Sequence, residues 1–207
     1  WYRHHRDIRC LPHLRSSDLA MSSDSAVIPT KLTQRLTQAQ YQSLYNKDSS
    51  LTAFTKGNPD TGVMIKFDML QSIEHQNPGI WSKYGLNTTI DRINFLTTNM
   101  SKLTVNVFGF GTPDINYQIW NGTEWVRLQT KNDQKIVAIS DTFQTADEAM
   151  ACVDDGGFSY VMVYSTGTLH LDYAELTYTV ELPVADTVTI TNDGPLPVPV
   201  RFELTNK

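Results

Sequence analysis

Ile115-Asn116-Tyr117-Gln118-Ile119-Trp120-Asn121-Gly122-Thr123-Glu124-Trp125 is the stretch that decides the fold. Ile115, Tyr117 and Ile119 alternate with Asn116, Gln118 and Trp120, the period of two that sends successive side chains to opposite faces of a strand. Asn121-Gly122 then predicts a type I′ hairpin turn, because both residue types accept the positive φ that such a turn demands. Trp125 to Leu128 reads as the returning strand. Two tryptophans flank the turn. They either anchor the end of a sandwich core or present flat apolar rings to a ligand.

The same alternation extends outward in both directions. Leu103, Val105 and Val107 alternate with Thr104, Asn106 and Phe108. Downstream, Ile136 to Ile139 is short and apolar, Asp155-Gly156-Gly157 turns into Tyr160 to Tyr164, and Thr166-Gly167 turns into a long strand, Leu169 to Leu182. Upstream, Val63, Ile65 and Phe67 alternate, Gln71 to Gly85 reads as a polar loop rich in turn residues, and Ile90 to Leu96 reads as another strand. About eight short strands with Gly-based turns predict a mainly β chain, an antiparallel β-sandwich or jelly roll.

The two ends differ from this middle. Residues 1–20 carry Arg3, Arg6, Arg9 and Arg15, half of the eight arginines, with His4, His5 and His13, and no hydrophobic period. They read as a basic arm lying on a neighbouring subunit or on nucleic acid, or as an extension preceding a natural start at Met21. A short helix is expected around Thr37 to Tyr45, because Thr37-Gln38-Ala39-Gln40 has the form of a capping box. Lys56 to Gly62 is turn chemistry. From Asn192 to Val200, Pro195, Pro197 and Pro199 stand at alternate positions, which removes ladder donors and suits an extended edge or polyproline segment against another chain. The expected organisation is an N-terminal anchor with a short helix (1–61), a sandwich (62–182) and an extended Pro-rich arm (183–207).

Composition narrows the function classes. A net charge of −5 and a pI near 5.5 argue against a general nucleic-acid binder, which needs a basic field. The chain has no apolar run long enough to predict a membrane span. Cys10 and Cys152, its two cysteines, are too few for a disulfide scaffold and too far apart for a zinc knuckle; Cys152 is expected to pack as a small buried apolar residue.

No Gly-x-Ser-x-Gly, His-Glu-x-x-His or phosphate-loop motif is present, so the chain is read as a non-enzyme. His170 and Asp172 share a strand face and are the one pair that a jelly-roll hydrolase would use. Asp154 and Asp155, before Gly156-Gly157, could ligate Ca2+ through oxygen, or serve as turn residues; no other cofactor is implied. Glycan binding would rest on aromatic platforms flanked by polar groups: Trp120 and Trp125 with Asn116 and Gln118 on the face away from the isoleucines, and Trp81 with Tyr84 as a second exposed pair. Three matches to the N-glycosylation sequon, at Asn87, Asn99 and Asn121, matter only in a eukaryotic secretory route.

Ile119 to Trp125, Asp154 to Val161 and Leu169 to Leu176 together resemble the β-sandwich modules of tailed-bacteriophage virion proteins, which are themselves similar to carbohydrate-binding domains. The resemblance covers roughly residues 90–180. Leu36 to Leu44 is similar to the short segment near the start of phage fibre and baseplate proteins, and Thr187 to Asn192 with Pro197 to Val200 is similar to strings in intertwined phage appendages. The resemblance implies a structural decoration or attachment protein of the virion that assembles with copies of itself, as a trimer, and with other virion proteins, and that contacts host-surface glycans. It carries over no catalytic residue, and no membrane partner. A secreted bacterial carbohydrate-binding module is the alternative.

Overall fold

The computed structural model describes residues 3–10, 19–22, 25–29, 34–44, 47–55, 60–132 and 135–183. The expected turn at Lys56 to Gly62 lies largely outside them, and the Pro-rich arm from residue 184 onward lies wholly outside.

The described chain is mainly β: two antiparallel sheets pack face to face as a sandwich, with five short helices at the margins. One sheet is built from β1 (Arg3–Cys10), β11 (Thr168–Pro183), β6 (Met100–Thr112) and β9 (Val137–Phe143), with β4 (Thr52–Phe54) also on β11. The other runs β3 (Gln34–Arg35), β2 (Leu19–Ser22), β5 (Thr61–Asp68), β10 (Phe158–Ser165), β7 (Ile115–Trp120) and β8 (Trp125–Lys131). The strands of the first 61 residues join both sheets: β1 pairs with β11 over eight residues, and β2 pairs with β5. Arg3–Cys10, expected as an arm on a neighbour, is thus hydrogen-bonded within its own chain.

Alternation explains the core. On β6, Leu103, Val105 and Val107 are buried while Thr104, Asn106 and Phe108 are half-exposed. Across from them Ile115, Tyr117, Ile119, Val161 and Val163 close the interior from the second sheet. Tyr178 reaches through it and donates its hydroxyl to Met69 O at 3.1 Å. On β11 the alternation slips by one at Asp172, a bulge. Gly109 makes room for it: a Cβ there would stand 2.3 Å from His170 O.

Three of the expectations for the connecting segments change. Gln71 to Gly85, read as a loop, contains α2 (Met69–Gln76) and α3 (Ile80–Lys83), and Ile90 to Leu96, read as a strand, lies inside α4 (Thr89–Asn99). In α4 the Thr88 side chain accepts from Asp91 N and Asp91 accepts from Thr88 N, a capping box. Those bonds hold the Asp91 carboxyl below its ordinary range. Ile90 points to solvent, 70% exposed, whereas Leu96 is fully buried, the one-sided burial of a helix that a β-branched sequence obscures. The expected N-terminal helix is α1 (Gln38–Ser43), with Thr37 and Gln40 bonded reciprocally as its cap. A fifth helix, α5 (Ala146–Met150), starts at Thr145, whose side chain accepts from Glu148 N.

Candidate functional site

The hairpin of β7 and β8 closes on the pair Trp120↔Trp125. Its turn is not the two-residue type I′ expected. Asn121 to Glu124 form a four-residue loop, closed by Asn121 N donating to Glu124 O at 3.0 Å. The Asn121 side chain decides this: its Oδ1 accepts from Thr123 N, Thr123 Oγ1 and Glu124 N at 2.8–3.1 Å, the Asx arrangement that competes with a tight turn. Only Gly122 takes a positive φ in the loop, +91°. The longer loop leaves the two indoles facing across the strand ends, centroids 5.4 Å apart at 70°, an edge-to-face pair.

The outer face of this sheet is not open along its length. Ser25–Pro29 lies across it as a strap. Ser25 donates from N and Oγ to Asp60 Oδ2, Gln118 Nε2 donates to Ser25 O, and Trp125 Nε1 donates to Val27 O at 2.7 Å. Beneath it Met64 and Met162 form a second apolar cluster with Val27, Trp125, Tyr160 and Tyr164. Asn116 and Gln118 do face away from the isoleucines, but they are buried rather than presented to solvent. Asn116 Oδ1 accepts from Thr130 Oγ1 at 2.7 Å. It belongs to the ladder, not to a ligand.

Where the strap ends, a recess of ≈ 350 Å³ opens, lined by Trp120, Trp125, Gln118, Thr123, Glu124 and residues of the strap. Both tryptophans are half-buried. Trp125 is fixed by its indole hydrogen bond, so the two rings, a carboxylate, an amide and a hydroxyl converge on one open space. This is the composition of a saccharide-sized site: apolar faces with a few placed polar groups.

Trp81 and Tyr84, expected as a second exposed platform, lie elsewhere and differ in kind. Trp81 is 3% exposed. Its Nε1 donates to Leu70 O at 3.3 Å, Phe95 meets it edge-on at 6.3 Å, and the Arg92 guanidinium sits 5.6 Å above it. Tyr84 leans on Phe95 at 5.3 Å. Trp81 therefore roots the helices in the core and offers no free face. Beside it, between α2, α3 and α4, is a larger cavity of ≈ 620 Å³. It escaped the sequence reading because the helices did; the signals present were Asp68-x-x-Gln71 and Thr88-x-x-Asp91, both N-cap patterns.

Asp154 is occupied as a turn clamp. Its Oδ1 accepts from Gly156 N and Phe158 N, each at 2.9 Å, and its Oδ2 from Tyr160 Oη at 3.1 Å. Asp155 is exposed next to it, and among the described residues no group of three or more His, Cys, Asp or Glu side chains converges as a metal would require. His170 stacks on Phe110 at 4.4 Å, while Asp172, at the bulge, accepts from Asp48 N at 3.3 Å. Cys152 is a buried free thiol; burial, then the nearby Glu148 carboxylate, pushes its pKa up to about 12. No helix among the described residues is long and apolar enough to cross a membrane. No model of a known protein family matches the chain, and no curated protein matches it either.

Proposed function

We propose that this chain is a structural attachment module, a decoration or appendage protein of a tailed-phage virion, whose sandwich holds a host-surface glycan at the Trp120–Trp125 recess. The observation that carries the binding half of this reading is the half-buried, edge-to-face tryptophan pair, joined in one recess by Gln118, Thr123 and Glu124. Trp125 is held by a backbone carbonyl and Trp120 is not, so Trp120 is the ring that meets the sugar. The virion half is supported by the likeness of Ile119 to Trp125, Asp154 to Val161 and Leu169 to Leu176 to phage sandwich modules. Assembly as a trimer through the Pro-rich residues after 183 belongs to the same reading.

A glycan array probed with the wild-type chain and with Trp120→Ala tests the recess: the wild type binds a defined set of saccharides and the variant loses them while keeping its far-UV circular dichroism. Light scattering on a chain truncated after Glu181 tests assembly. The virion reading expects a trimer that falls to monomer on truncation. Glycan binding by a full-length monomer instead favours a secreted carbohydrate-binding module.

A further inference from the structure

The cavity between α2, α3 and α4 is a second site with a chemistry of its own. Five of its lining residues carry polar or charged side chains from three directions: Asp68, Gln71, Glu74 and His75 from α2 and its cap, and Arg92 from α4. At ≈ 620 Å³ it is within the usual range for small-molecule pockets. Glu74 is the unusual member. Its Oε1 accepts from Gly79 N at 2.7 Å, but its Oε2 is shut off from solvent and has no donor. A carboxylate oxygen in that state costs free energy until an N–H or O–H reaches it.

Across the same cavity Arg92 is held by other partners. Its Nε donates to Leu86 O at 3.2 Å and its face lies over Trp81. This fixes the guanidinium in place and keeps it out of a bond with Glu74. One cavity therefore holds an acceptor lacking a donor and a positioned cation, on different helices. A neutral or singly charged ligand satisfies one of them and leaves the other. We infer that the cavity binds a small zwitterion, an amino acid or a compound built like one, with its ammonium on Glu74 and its carboxylate on Arg92. The site is separate from the tryptophan recess and does not depend on the glycan reading.

Ligand-observed NMR with the twenty free L-amino acids, each up to about 10 mM, the weak end of useful affinity, tests this on the full chain. The expected result is binding by at least one of them. Its N-acetyl and its carboxamide forms should each bind at least about tenfold more weakly, since each removes one charge. Glu74→Gln keeps an acceptor for Gly79 N but loses the charge, and should weaken binding by a similar factor. Should that variant not fold, the two blocked ligands on the wild type decide the matter. Absence of binding by every amino acid, equal binding of the N-acetyl form, or equal binding of glucose overturns the proposal.

Discussion

Trp120 and Trp81 are two tryptophans of one chain in opposite roles. Trp120 ends a sheet strand, half-exposed, its ring paired edge-on with Trp125 over an open recess. Trp81 is in a short helix, buried, with its indole N–H taken by Leu70 O and Phe95 at its edge. What separates them is not residue type but whether the ring has spent its apolar surface on the fold. The ring with surface left over belongs to function. The one without belongs to stability, and the function beside it, if it is there, falls to the ionic groups lining the cavity.

The largest expected effect breaks the comparison at its stable end. Trp81→Ala removes a buried ring and should cost about 3–5 kcal/mol in urea unfolding, whereas Trp120→Ala should cost only about 1–2 kcal/mol. Equal losses would mean that Trp120 is also a core residue and no platform. An intermediate effect is expected at the turn leading into β10, against which α2 packs. A Cβ on Gly157, which has φ +81°, would come within 2.5 Å of Leu70 Cγ, so Gly157→Ala should cost about 1–3 kcal/mol. Asp154→Ala, which frees three donors, should cost a similar ~1–3 kcal/mol. Thermal unfolding with and without calcium sharpens this further: with its carboxylate already committed to those donors, the turn should melt at the same temperature in both. A calcium-dependent rise would reassign Asp154 and Asp155 as ligands.

The smallest effect concerns Cys152. Its thiol ionises at about 12 when folded and near the model value of 9.0 when unfolded. Between those values the unfolded chain has released a proton that the native chain keeps. Stability should therefore fall as pH rises above about 9, and not below it. At pH 8 a thiol reagent should modify Cys152 only as fast as the native chain opens; rapid labelling without unfolding would show that α5 does not cover it.

How much of this was legible in the sequence follows the same division. The period-two alternation at Leu103 to Val107, Ile115 to Ile119 and Val161 to Val163 was visible because each strand buries one face continuously. The helices from Met69 to Asn99 were not. Their short apolar faces are interrupted by Gly79 and Gly85, and Ile90 to Leu96 is rich in the β-branched residues that suggest a strand. The capping pattern Thr88-x-x-Asp91 was the better evidence and outweighs propensity there. At the recess, the two tryptophans and the face assignment of Asn116 and Gln118 could be read from alternation. The strap that buries those two polar residues could not, since Ser25 and Val27 reach β7 and β8 across more than ninety positions of sequence.

The central claim is that Trp120, and not Trp81, is the ring that meets a ligand, and the indole N–H resonances test it directly. With the indoles assigned by single Trp→Phe variants, titration with a saccharide found on the array should shift the Trp120 and Trp125 signals together and leave that of Trp81 in place. A shift confined to Trp81, or none at Trp120 while the saccharide still binds, would contradict the account.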